Sequence, residues 1–202
     1  RRRGRRENFF KKKPRRALRL CGETYKNDRI PFIRLVMDYD YFMKNALEEA
    51  RAALDTGEFP VGCVMVHGNK ILVSGSRKGT SGDYPNEVDH AEMVALRRLF
   101  RLNPEINLRE VSVFSTLEPC LMCFGALMIS GIGRLVFAYE DAMGGGTRCD
   151  TANMTPLYQS NQMKIIPGIL RNESLKLLKI FFSEPQNTYL RDSYLAAYTL
   201  GQ

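Results

Sequence analysis

From Met37 to Tyr139 the apolar residues switch repeatedly between a helical and an extended period, and that switching restricts the chain to few architectures. Phe42, Ala46, Leu47, Ala50, Ala53 and Leu54 recur at spacings of three and four, one face of an amphipathic helix over about 38–55 that stops near Gly57. Val61, Val64, Met65 and Val66, then Ile71, Leu72 and Val73, flank His67-Gly68-Asn69-Lys70 and read as two strands of a hairpin. After a loop over 76–88, Ala91, Val94, Ala95, Leu96, Leu99 and Phe100 mark a second helix that stops before Pro104. Val111, Val113 and Phe114 give a third strand, Pro119–Ser130 a helix with proline at its start, and Leu135, Val136, Phe137 and Tyr139 a fourth strand. Met163–Ile166 adds a fifth strand, and helices near 173–182 and 188–198 follow. Strands alternating with helices predict an α/β fold: a three-layer α/β/α sandwich around a mixed five-stranded sheet whose later strands are parallel.

A chain of 202 residues with 44% hydrophobic and 26% charged side chains suits one domain with a sizeable core. Its longest strongly apolar stretch, Leu121–Ile129, is far short of the roughly 20 residues that cross a bilayer, so no membrane-spanning role is expected. Five cysteines, an odd number in a chain this long, do not make a disulfide framework, and a reducing, cytoplasmic setting is the expectation.

The net charge of +8 is unevenly placed. Residues 1–36 carry 14 Lys+Arg against 3 Asp+Glu, whereas residues 37–202 hold 16 against 19, a net of −3. The chain therefore divides into a basic arm, 1–36, expected to be disordered because like charges repel and bury little, and a folded domain, 37–202. The arm has three readings: a solvated tail, a tail that tracks RNA phosphates, or a segment foreign to the natural protein, since Met37 opens the first helical pattern. A signal peptide is not expected, because no apolar core follows the charges.

Two clusters stand out against this scaffold, His90-Ala91-Glu92 at the start of the second helix and Pro119-Cys120-Leu121-Met122-Cys123 at the start of the third. Open α/β sheets place ligands at such helix starts. One imidazole and two thiolates make three zinc ligands, the number a catalytic site uses when it leaves a fourth position open. A helix N-terminus favours the thiolate form. Residues two apart point to nearly opposite sides of a helix interior, so His90 and Glu92 serve one site only if it lies end-on to the first turn. That spacing suits a ligand plus an acid/base, and Glu92 is assigned the transfer of a proton from water to a leaving group. Singly, Cys-x-x-Cys is also a redox pair and a lone histidine is more often a satisfied core residue; together, 30 residues apart, they are far more specific. His67 reads as a solvated turn residue, Cys63 as strand core, and Cys21 and Cys149 carry no assigned chemistry.

His-x-Glu with Pro-Cys-x-x-Cys is the mark of zinc-dependent nucleobase deaminases. The blocks Gly57-Glu58-Phe59-Pro60-Val61-Gly62, His90 to Arg97, Thr116 to Cys123 and Gly168-Ile169-Leu170 further resemble bacterial tRNA-specific adenosine deaminases of the cytidine/deoxycytidylate deaminase superfamily, over about Tyr41 to Phe182. The resemblance implies a cytidine-deaminase-like fold, a homodimer, one catalytic Zn2+ per chain on His90, Cys120 and Cys123, and Glu92 as proton shuttle. It implies hydrolysis of an exocyclic amine of a nucleobase to a carbonyl with release of ammonia. Val61, Ala91, Asp141 and position 77 would contact the substrate.

Three features depart from the family pattern. Arg77 stands where the family has an asparagine that contacts the nucleoside. Phe181-Phe182 leads into Ser183-Glu184-Pro185-Gln186 where a basic cluster is usual, and the domain is net negative although phosphate contacts supply most nucleic-acid affinity. Wobble adenosine of tRNA is the leading substrate. A free nucleobase, nucleoside or nucleotide is the alternative, and a non-catalytic zinc-binding partner subunit for RNA is the third reading, which an intact Glu92 opposes. Met143-Gly144-Gly145-Gly146-Thr147-Arg148 is read either as a lid over the pocket or as an ordinary surface loop, and Glu140 and Asp141 lie at the pocket edge or at a solvated strand end.

Overall fold

The computed structural model describes residues 37–81, 85–102 and 105–202. The expectation of a disordered basic arm falls on 1–36, outside the described residues. The domain runs α1 (Tyr39–Asp55), β1 (Gly62–His67), β2 (Lys70–Ser76), α2 (Ala91–Arg101), β3 (Ser112–Leu117), α3 (Leu121–Ile129), β4 (Arg134–Tyr139), α4 (Pro156–Gln159), β5 (Lys164–Ile166), α5 (Arg171–Ser183) and α6 (Tyr194–Leu200). The five strands form one sheet in the order β2-β1-β3-β4-β5. β1 pairs antiparallel with β2 and β3, and β3, β4 and β5 run parallel, as the mixed-sheet expectation had it.

The side chains of β1, β3 and β4 divide between two cores. On one face Val64 and Val66 of β1, Phe114 of β3, and Val136 and Ala138 of β4 pack under Phe42, Met43, Ala46, Leu47 and Ala50 of α1. On the other, Cys63, Met65, Val113, Leu135 and Phe137 pack under Ala91, Ala95 and Leu99 of α2 and Phe124 and Leu127 of α3. Burial on both faces explains why β1 and β4 read as near-continuous apolar runs rather than alternating ones. Asp38 caps α1 by accepting the Tyr41 N–H at 2.9 Å, and the hairpin turns through Gly68 (φ 54°) and Asn69 (φ 63°), both left-handed as a tight primed turn requires.

Some boundaries differ from the sequence expectation. The third helix begins at Leu121 with Cys120 as its N-cap, so Pro119 lies just outside rather than in its first turn. The last helix begins at Tyr194, not near 188: Asn187 closes a side-chain turn onto the Tyr189 N–H at 2.9 Å, Leu190 is left-handed (φ 53°), and Ser193 caps α6 through the Ala196 N–H at 3.1 Å. His67 ends β1 and meets Glu110 at 3.3 Å instead of sitting free in the turn.

Candidate active site

Two helix N-termini meet on the sheet face that α2 and α3 cover. His90 is the N-cap of α2 and Cys120 the N-cap of α3, each with an extended backbone and a side chain that makes no capping bond. Both are therefore free to point past the helix ends, and Cys123 joins them from the first turn of α3. The approach of α2 depends on Gly75 of β2, where a Cβ would stand 2.5 Å from the Ala91 carbonyl oxygen.

The donor atoms of His90, Cys120 and Cys123 lie within 4.8 Å of one another, and His90 Nδ1 is 3.5 Å from Cys120 Sγ. A hydrogen bond from the Cys123 thiol holds Cys120 down to about 4, helped by the imidazole and opposed by burial. The ionised sulfur of Cys120 in turn raises the pKa of His90, against the effect of burial. An imidazole beside an ionised thiol and a second, buried thiol is a donor set that fits zinc, with three protein ligands and room for a fourth.

Glu92 lies two residues on from His90, 3% exposed, and outside the ligand trio. Ser115 of β3 donates its hydroxyl to Glu92 Oε1 at 2.6 Å. Burial raises the pKa of Glu92, with the Ser115 bond as the main opposing influence. His90 as N-cap and Glu92 in the first turn both line the cleft at the start of α2.

A cleft of about 740 Å³, counted out to solvent, opens onto His90, Glu92 and Cys120. Val61, Arg77, Ala91 and Asp141, the expected substrate contacts, all line it. Burial raises the pKa of Asp141, while its Oδ1 accepts the Met143 and Gly144 N–H groups at 2.9 and 2.8 Å. Glu140, its neighbour, turns away to pair with Arg171, and that pairing and a Tyr198 hydrogen bond outweigh burial to hold its carboxyl at about 2.

Arg77 is buried, and its guanidinium is committed: Nη1 donates to the Lys78 and Asn86 carbonyls at 3.0 and 2.7 Å, and Nη2 to Glu87 at 2.9 Å and Tyr189 Oη at 3.3 Å. The glycine-rich stretch is fastened rather than hung as a free lid. Gly146 N–H bonds the Pro119 carbonyl at 2.9 Å, and Thr147 N–H bonds Glu118 Oε1 at 3.2 Å. A Cβ on Gly145 would come within 2.5 Å of the Glu118 carboxyl carbon, so these glycines serve close approach.

Sequence reasoning did not single out Ser115, Glu118, Tyr189 or Leu190. Ser112, Ser115 and Thr116 are polar residues in a strand whose six positions are all buried, a signal that each needs a partner.

Residues 37–139 match the family model of the cytidine and deoxycytidylate deaminase zinc-binding region. The tRNA-specific adenosine deaminase of Buchnera aphidicola subsp. Schizaphis graminum is 35% identical over 144 residues, covering 70% of this chain and 92% of that protein. Its Bacillus subtilis counterpart is 30% identical over 148 residues, 72% of this chain and 89% of that one. A solved tRNA:A34 deaminase of A-to-I editing at the wobble position superposes with a TM-score of 0.59 at 27% identity, covering 68% of this chain and 99% of that chain. The guanine deaminase of Nitrosomonas europaea shares the fold, with a TM-score of 0.59 at 22% identity over 73% of this chain and 86% of that chain.

Proposed function

The chain belongs to the cytidine and deoxycytidylate deaminase family, and from that premise we propose that it hydrolyses the 6-amino group of the wobble adenosine in a tRNA, giving inosine and ammonia. The observation that carries the reading is the meeting of His90, Cys120 and Cys123 in one donor cluster, with His90, Cys120 and Glu92 lining the same cleft. The relatives at 30% identity and above that are named tRNA-specific adenosine deaminases support the choice of substrate.

His90, Cys120 and Cys123 would hold the zinc ion. When bound, zinc supplies Lewis acidity that lowers the pKa of water from 15.7 to about 7. Glu92 accepts a proton from the attacking water on the oxygen that Ser115 leaves free and delivers it to the amine nitrogen. The C–O bond forms, the C–N bond breaks, and water and amine become carbonyl and ammonia with no change of oxidation state. Val61 and Leu117 offer apolar contact to the base, and Ala91 offers a first-turn N–H group left unpaired within α2.

The phosphate contacts are assigned to the arm, since 1–36 carries +11 and 37–202 carries −3. Zinc-loaded protein, with and without 1–36, is to be incubated with an anticodon stem-loop bearing a wobble adenosine and with free bases, nucleosides and nucleotides. Inosine in the stem-loop by product mass, with a rate that falls when the arm is removed, is expected. Turnover of small substrates alone would replace this reading with a free-nucleobase deaminase.

The second partner proposed is another copy of this chain. α3 is apolar all round, and Leu121, Met122 and Ile129 on its outer side are 53%, 38% and 59% exposed. A helix of that kind is stable when both sides are covered. Light scattering should give a dimer mass for the protein and a monomer mass for Ile129→Glu; a monomer in both would remove the partner. Among the described residues no helix is long and apolar enough to cross a membrane.

A further inference from the structure

The cleft has lining that the ligand trio does not explain. Besides His90, Glu92 and Cys120 it is lined by Tyr189, Leu190 and Leu195. All three come from the segment after α5, well beyond the residues that the family model matches. The segment is fastened at both ends. At the near end Tyr189 Oη donates to Glu87 Oε2 at 2.9 Å, Arg77 donates to both, and the Tyr189 ring lies 5.6 Å from that of Phe59. At the far end Tyr198 Oη donates to Glu140 at 2.8 Å, and Arg171 Nη2 donates to Gln202 Oε1 at 3.0 Å.

Two details point to more than a structural seal. Leu190, between these fastenings, has φ 53°, a conformation that leucine rarely takes and that persists where the surroundings impose it. Arg77 spends its charge on Glu87 and Tyr189, and its buried Nε has no partner. Arg77, the lysine or arginine that lines the cleft among the described residues, therefore positions the wall instead of meeting a phosphate. What remains toward the cleft is apolar surface, suited to the face of a planar base.

We propose that residues 184–202 are the specificity-determining wall of this cleft, with Leu190 the side chain that meets the substrate's base and Arg77, Glu87 and Tyr189 the positioning residues that hold it there. The inference rests on the deaminase reading of the cleft. It deepens that reading by assigning the choice among bases to a segment outside the metal centre.

Two kinds of measurement test it, binding read without turnover and selectivity among substrates. The chain contains no tryptophan, so Leu190→Trp places a single indole on the wall of the full-length, zinc-loaded protein. Saturable quenching of its fluorescence by adenosine or by the stem-loop is expected, and no quenching by the stem-loop, adenosine, guanosine or cytidine would overturn the proposal. Should circular dichroism show that this variant is misfolded, Leu190→Gly, which relieves the backbone, decides. It is expected to lower the ratio of kcat/KM between the preferred substrate and the other bases by about tenfold, the scale of one or two lost methylene contacts. Equal change for all substrates would overturn the wall. Tyr189→Phe keeps the ring and removes the hydroxyl, and KM should rise by about fivefold with kcat and zinc content retained. A uniform fall in kcat with loss of zinc would make the clamp merely structural. Quenching without turnover of any substrate would retain the wall and reject the deaminase reading; turnover with unchanged selectivity and no quenching would do the reverse.

Discussion

Replacing Glu92 with glutamine is expected to lower the turnover number by about 100- to 10,000-fold, the range that a positioned acid/base contributes, while zinc stays at one ion per chain. The substitution is nearly isosteric. A glutamine carbonyl oxygen still accepts the Ser115 hydroxyl that lies 2.6 Å from Glu92 Oε1, so the first turn of α2 keeps its link to β3. What is lost is a group that takes a proton and gives it up again. Burial moves the Glu92 pKa upward, toward the operating range of such a shuttle, and an amide has no equivalent state. Single-turnover inosine formation together with metal analysis checks the outcome. A variant that loses zinc would show Glu92 to be part of the ligand set, and one that keeps its rate would remove the residue from the mechanism.

The second large effect is expected from Cys123→Ser. The zinc content should fall well below one per chain and product formation should drop to background. A serine hydroxyl does not ionise as a thiol does and is a poor ligand for zinc. Cys123 is fully buried, so the new hydroxyl also costs about 1–3 kcal/mol if it finds no partner. The two losses are separated by a chelator. Metal that binds only the folded state stabilises it by about 2.7 kcal/mol at a free concentration one hundred times its Kd. Chelation should therefore lower the Tm of the unaltered protein and leave that of the variant unchanged. His90→Ala, at a less buried position, should reproduce the insensitivity to chelator without the packing loss. A variant that binds zinc fully and still responds to chelator would show that other residues hold the ion.

Much of this architecture is legible in the residues because each strand and helix carries a local signal. The spacing of Phe42, Ala46, Leu47 and Ala50 marks the buried face of α1, and Gly68-Asn69 marks the hairpin. The His90–Glu92 spacing implies a site end-on to a helix, and His90 stands as the N-cap of α2 with Glu92 in its first turn. Contacts between distant parts of the chain carry no such signal. Arg77 marks a departure from the family pattern, but its partner Tyr189 lies 112 residues away, so its clamp depends on how the final segment folds back. The same holds for Ser115, which meets Glu92 across 23 residues only because Gly75 lets α2 settle on the hairpin. The start of α6 is shifted by the Asn187 turn and the left-handed Leu190, which interrupt a pattern that periodicity alone would extend. A glycine run is equally ambiguous in sequence: the one at 144–146 reads as freedom, and in the fold it serves contact with Glu118 and Pro119.

β3 has a consequence for how this enzyme's properties can change. It is the middle strand of the sheet, all six of its residues are buried, and it supplies Ser115 and leads directly into the Cys120 turn. Central strands open only when the whole domain does, whereas peripheral segments open at lower cost. The reacting groups are therefore tied to the part of the protein least tolerant of substitution, and a change there threatens folding as well as chemistry. The stretch 184–194, which carries Tyr189 and Leu190, has no fully buried residue and lies at the periphery, where a change spends less of a small reserve of stability. Reactivity is in this sense the conservative property of the fold, and substrate range is the one with room to evolve.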